Sequence, residues 1–206
     1  MDLGMTSQNT GHTNLVPEVA VALLEFMHIA ERLKDELRHS FTSKGRHESV
    51  AEHSWRLVLL ALLMKPYLPD RLKWERLLEM LIIHDIAEAH VGDVPIFEAN
   101  GAQRAEAERA AIQAFHNLLP APIGVRIQEL CEEFEMCNTL ESQIANALDK
   151  LEAQIQHNEA SLSTWLDWEK RHVFAGFAKV GLCDRSISTM TEAIIEEARN
   201  KLNSGH

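Results

Sequence analysis

Cysteine, glycine, proline and tyrosine are all scarce in this chain, and each scarcity excludes something. The three cysteines, Cys131, Cys137 and Cys183, are odd in number and form no Cys-x-x-Cys pair. That argues against a disulfide framework or a thiolate metal knot and reads as reduced, idle thiols. Nine glycines and six prolines in 206 residues are too few turn residues for a domain of many short strands. The longest apolar run, Leu57 to Met64, has eight residues, far short of the ~18 needed to cross a bilayer. The first residues, MDLGMTSQNTGHTN, lack the basic-then-apolar pattern of a secretory signal. Positive charge is short as well: 20 Lys and Arg against 31 Asp and Glu leave a net charge of −11. A chain this acidic is poorly suited to gripping a nucleic-acid polymer. A phosphate ligand would need its own local cation. These features lead to the expectation of a soluble, cytoplasmic protein.

What is present is mostly helical. A composition with 46% hydrophobic and 25% charged residues suits a globular core. Residues 1–16 read as a flexible N-terminal segment and 17–206 as a single helical domain. Pro17 can open a first helix, whose apolar stripe continues through Leu33 and Leu37. Arg38 to Ser49 reads as a polar loop. Ser49 with Glu52 forms a capping-box signal for a helix reaching about Lys65. A third helix is expected from about Asp70 to His90. Its centre, Leu77 to Ile83, is apolar enough to be buried on all sides. Further helices are expected over about 102–119, 123–137, 140–158 and 188–202. The fold expectation is therefore all-α, a single-domain bundle of six or more helices.

The chemistry concentrates where polarity breaks into apolar sequence. The third helix runs through Leu81-Ile82-Ile83 straight into His84-Asp85-Ile86-Ala87-Glu88. Ionisable groups at the end of so apolar a segment cost several kcal/mol each, in order of magnitude, if buried without partners. A divalent metal compensates imidazole and carboxylate together. His53 in the preceding helix and Asp149 within Ala147-Leu148-Asp149-Lys150-Leu151 are candidate partners.

Taken jointly, the order His … His-Asp … Asp across three helices resembles the HD-domain phosphohydrolases. The resemblance runs from about Leu24 to Asn158. It is carried by Glu48 to His53, His84 to Glu88, Gly92-Asp93-Val94-Pro95 and Ala147 to Leu151. Within that family it is closest to the small bacterial 5′-deoxynucleotidase group. The resemblance implies one divalent metal, of the Mn, Co, Fe, Ni or Zn type, held by His53, His84, Asp85 and Asp149. It implies catalytic roles for Glu88 and Asp93 in water positioning and proton transfer, and phosphate binding by Arg38. The next residue, a Trp tied to 2′-deoxy preference in that group, is His39 here. The implied activity is release of phosphate from nucleoside 5′-monophosphates, commonly by a homodimer. Trp165, Trp168, Phe174 and Phe177 are a candidate interface. The alternatives are a phosphodiesterase or pyrophosphohydrolase on the same fold, a non-catalytic metal- or nucleotide-binding module, and a structural helical protein.

Overall fold

The computed structural model describes residues 14–93, 101–177 and 179–205. Most of the N-terminal segment, and Val94-Pro95 of the loop noted above, lie outside the described residues. Helix α1 (Pro17–Ala30) starts on a proline at its first turn. It gives way to a 3-10 turn over Glu31–Lys34, so the helical stripe stops short of Leu37. The expected loop at 38–49 is instead mostly a hairpin. Strand β1 (Leu37–Phe41) pairs antiparallel with β2 (His47–Ser49), Leu37 opposite Ser49 and Phe41 opposite His47. Gly45, at φ +80°, supplies the left-handed turn residue between them. Polar composition concealed these strands, because a short hairpin packed against helices needs no alternating apolar pattern of its own.

Helix α2 (Val50–Met64) begins with the capping box expected of Ser49 and Glu52. Helix α3 (Trp74–Ile83) is shorter than the expected 70–90 segment. The chain tightens after Ile83: Ile86 N–H donates to Ile83 O and Glu88 N–H to Asp85 O, both at 3.0 Å. These i→i+3 bonds end the α-helix before a one-turn helix, α4 (Glu88–Val91). Nor is α3 buried all round. Leu77, Met80 and Leu81 are fully buried, whereas Ile82 is 61% exposed.

The remaining helices are α5 (Gly101–Leu118), α6 (Ala121–Met136), α7 (Leu140–Glu159), α8 (Asp167–Gly176) and α9 (Arg185–Ser204). The fold is all-α apart from the hairpin. Helix α7 is its axis, packed on α2, α3, α6 and α9. Its Ile144, Leu148 and Leu151 join Leu57, Leu77, Met80, Leu81 and Ile187 in the main core. A second cluster, around Leu33, Val50, Ile86 and Phe115, seats α4 and α5. Trp165 turns inward and donates Nε1–H to His157 O at 2.8 Å, leaving Trp168 and Phe174 exposed.

Leu148→Ala is expected to destabilise the fold by about 2–5 kcal/mol. Ile82→Ala should cost less than about 1 kcal/mol. Urea unfolding of the two variants checks this; equal losses would contradict the central position of α7.

Candidate metal centre

Three segments bring acceptors to one point. The capping box fixes the first turn of α2 and turns His53 fully inward. The tightened turn after α3 presents His84 and Asp85 side by side. The middle of α7 contributes Asp149. His53 Nε2 lies 3.0 Å from Asp149 Oδ1 and 3.9 Å from Asp85 Oδ2. His84 Nε2 lies 3.1 Å from Asp85 Oδ2 and 3.8 Å from Asp149 Oδ1. Ligand atoms held about 2.0–2.2 Å from one ion stand roughly 3–3.5 Å apart in tetrahedral or octahedral arrangements, so the spacing suits a shared cation.

Hydrogen bonding makes the same point. His84 Nδ1 faces the Leu81 carbonyl at 3.0 Å, an acceptor, so Nδ1 carries the proton. His53 Nδ1 likewise donates to the Glu152 carboxylate. In the neutral rings both Nε2 lone pairs therefore point at carboxylate oxygens. His84 Nε2 is buried and makes no hydrogen bond among the described residues. Lone pairs facing carboxylates repel unless a cation or protons intervene. The donor atoms of His53, His84 and Asp149 all lie within 4.8 Å of one another, and imidazole with carboxylate suits a divalent transition metal. The residues fit the group.

Protonation shows the same deficit of positive charge. Burial opposes a charge on His53, yet hydrogen bonds to Asp149 and Glu152 raise it to about 9. Burial likewise opposes a charge on His84, and the Asp85 carboxylate raises it. Against the penalty of burial, His84 holds the Asp85 carboxyl well below the usual range, and the His53 hydrogen bond lowers Asp149. Protons on the imidazoles stand where a metal would.

Around this cluster, Arg38 on β1 reaches over Asp85, with Nη1 3.5 Å from Oδ2. Glu88 is 5% exposed. Its Oε1 accepts from Arg104 Nη2 at 3.1 Å, and its Oε2 has no hydrogen bond among the described residues. Burial, then the charges of Asp85 and Asp93, push the Glu88 carboxyl up to about 9. Asp93 is raised by burial and by Asp85 against the pull of Arg38. Its backbone N–H donates to Glu36 Oε1 at 2.9 Å, which ties down the chain after Gly92. His39 is not brought to the cluster. Neighbouring strand residues face opposite ways, and His39 Nε2 instead lies 3.4 Å from Glu169 Oε1.

His84, Asp85 and Glu88 line part of a cleft of about 620 Å3 that extends between α5 and α6. Sequence reasoning missed three residues here: Arg104, Glu48 and Glu152. Arg104 reads as half of a surface pair with Glu108, four residues on. Glu152 had a usable signal, because it sits three residues after Asp149 and so shares its helix face.

Comparison with known proteins gives one consistent answer. A family model described as HD domain matches residues 30–179. The human 5′-deoxynucleotidase HDDC2 is 30% identical over 143 residues, covering 68% of this chain and 69% of that protein. The 5′-deoxynucleotidase hdd1 of Schizosaccharomyces pombe is 28% identical over 141 residues, covering 65% and 69%. Among solved structures, a protein from Magnetospirillum magnetotacticum MS-1, described as a predicted metal-dependent phosphohydrolase, superposes with a TM-score of 0.78 at 27% identity. That match covers 89% of this chain and 97% of the other. A conserved hypothetical protein from Pyrococcus furiosus gives a TM-score of 0.63 at 29% identity, covering 86% and 99%. With well over half its length matched by the family model, and with imidazole and carboxylate donors gathered as described, this chain belongs to the HD-domain family of metal-dependent phosphohydrolases.

Proposed function

We propose that this enzyme releases phosphate from nucleoside 5′-monophosphates, with one divalent metal held by His53, His84, Asp85 and Asp149. The observation that carries the reading is the gathering of imidazole lone pairs and carboxylates beneath an arginine, Arg38, with His84, Asp85 and Glu88 opening onto a cleft. The relatives named 5′-deoxynucleotidase support the substrate class. When bound, the metal polarises the phosphoryl group and acidifies the attacking water. The Arg38 guanidinium holds phosphate oxygens through charge-assisted hydrogen bonds. Arg104 occupies Glu88 Oε1, so Oε2 is the oxygen left to meet water or substrate. Burial raises the carboxyls of both Glu88 and Asp93, Glu88 to about 9. One of the two, ionised, takes a proton from the attacking water, and the other, protonated, delivers one to the 5′ oxygen as its bond to phosphorus breaks.

Ile112, Phe134 and Met136 give the cleft apolar walls suited to a nucleoside, and its charged lining mixes Glu108, Glu132 and Glu135 with Arg104 and Arg109. His39 paired with Glu169 leaves the sugar preference to be read from the ratio of ribo- to deoxyribonucleotide turnover. The same reading takes the enzyme as a cytoplasmic homodimer. Support for the pairing is that α2 exposes an apolar stripe of Trp55, Leu59 and Leu62; no helix among the described residues is long and apolar enough to cross a membrane.

Protein stripped of metal and reloaded with Mn, Co or Zn is expected to release phosphate from 5′- but not 3′-monophosphates. A loaded protein silent on the whole panel would overturn the activity. His84→Ala and Asp85→Ala should abolish metal binding. Glu88→Ala and Asp93→Ala should retain the metal and lose turnover by about 10²–10⁴-fold; full activity in either would remove that residue from the mechanism. Arg38→Ala should raise KM about 10- to 100-fold. An unchanged KM in steady-state assays would place phosphate binding elsewhere.

A further inference from the structure

We infer that Glu48 and Glu152, two buried carboxylates beneath the proposed metal ligands, are positioning residues: Glu152 fixes the His53 ring for the metal, and Glu48 fixes the Arg38 guanidinium for phosphate. The inference rests on the functional reading above and extends it to side chains that reading does not use.

Each carboxylate is 1% exposed. Both oxygens of Glu48 and Oε1 of Glu152 make no hydrogen bond among the described residues. Isolated buried carboxylates cost several kcal/mol, in order of magnitude, so their compensation shows what they are for. It comes from three cations or donors in a row. Arg38 Nε approaches Glu48 Oε2 at 3.5 Å. His53 Nδ1 donates to Glu152 Oε2. Arg56 Nε lies 3.2 Å from Glu152 Oε1, and its far end is anchored by Glu159, 2.8 Å from Nη1. The donor atoms of Glu48, His53 and Glu152 are close enough to hold an ion themselves. Guanidiniums stand at both ends of that group, so positive charge is already supplied, and the group supports the proposed centre rather than forming a second one.

The geometry gives each carboxylate one task. With its Nδ1 proton held by Glu152, His53 keeps its Nε2 lone pair toward Asp149 and Asp85. Such outer carboxylates orient a ligating imidazole and raise its basicity. Glu152 lies one helical turn from Asp149 on α7, so a single helix supplies one ligand and the brace for another. Glu48 on β2 faces Arg38 on β1, which ties the arginine to the hairpin before any phosphate arrives.

The test uses metal and inorganic phosphate as probes, so it does not depend on turnover. Glu152→Gln is expected to weaken Mn(II) affinity about 10- to 100-fold in chelator competition, with phosphate affinity of the Mn-saturated protein little changed. Glu48→Gln is expected to leave Mn(II) affinity intact and weaken phosphate binding to the Mn-loaded protein about tenfold, read by calorimetry. If Glu152→Gln does not fold, Glu152→Asp, which keeps the charge but withdraws it by one methylene, carries the same expectation. Equal losses of both affinities in both variants would mean a merely structural role and would sink the inference. Unsubstituted protein that binds Mn(II), beside a Glu152 variant of unaltered affinity, would overturn this inference alone. No Mn(II) binding by the unsubstituted protein would overturn the functional reading beneath it.

Discussion

The structure depends on one electrostatic constraint: acceptors from three distant segments are packed against one another, and among the described residues Arg38 meets them only at the edge, 3.5 Å from Asp85 Oδ2. His53, His84, Asp85 and Asp149 present lone pairs and carboxylate oxygens to a common point. In an interior of low dielectric such an arrangement is costly until positive charge enters. Without a metal, the neighbouring carboxylates raise both imidazoles against the penalty of burial. A divalent ion meets the same need with one particle and leaves the rings neutral, linking metal binding to proton release.

The fold can be understood as the means of imposing that constraint. Helix α7 lies at the centre of the bundle, so the position of Asp149 is set by the packing of Leu148 and Leu151 on either side of it. The capping box at Ser49 fixes where α2 starts and hence which way His53 faces. The chain leaves the α-helical path after Ile83, and two adjacent residues, His84 and Asp85, come to one point. Along a continuous helix their side chains would diverge by about 100°. The same turn delivers Glu88 into the interior, where Arg104 from α5 meets it. Local backbone tightening and global packing thus serve one centre.

Much of this was legible in the sequence, for physical reasons that differ by element. The long helices α5, α6, α7 and α9 follow from periodicity and from proline or capping signals at their ends. Apolar residues running into His84-Asp85 marked a buried polar site, because that junction has no economical explanation without a ligand. Other features were not legible. The β1–β2 hairpin is polar in composition and is held by packing on α7 and α2, which local pattern does not encode. The turn at 84–87 lies inside a stretch of good helix formers, and tertiary context overrides that preference. Arg104 and Glu48 looked like surface charges because a charged side chain announces burial only through its partner. Those partners are distant in the chain, as with Arg56 and Glu152.

An acidic protein acting on an anionic substrate is a paradox only at the scale of the whole surface. The net charge of −11 disfavours polyanions at large, but a phosphate responds to the field in the cleft, where screening is weak over a few ångströms. There Arg38 lies over Asp85, and Arg104 and Arg109 stand among the carboxylates of the cleft that His84, Asp85 and Glu88 line in part. Local cations of this kind can hold a phosphoryl group whatever the charge of the distant surface. The surplus of acid that argues against nucleic-acid binding therefore does not oppose a small phosphate ester held at a local cation.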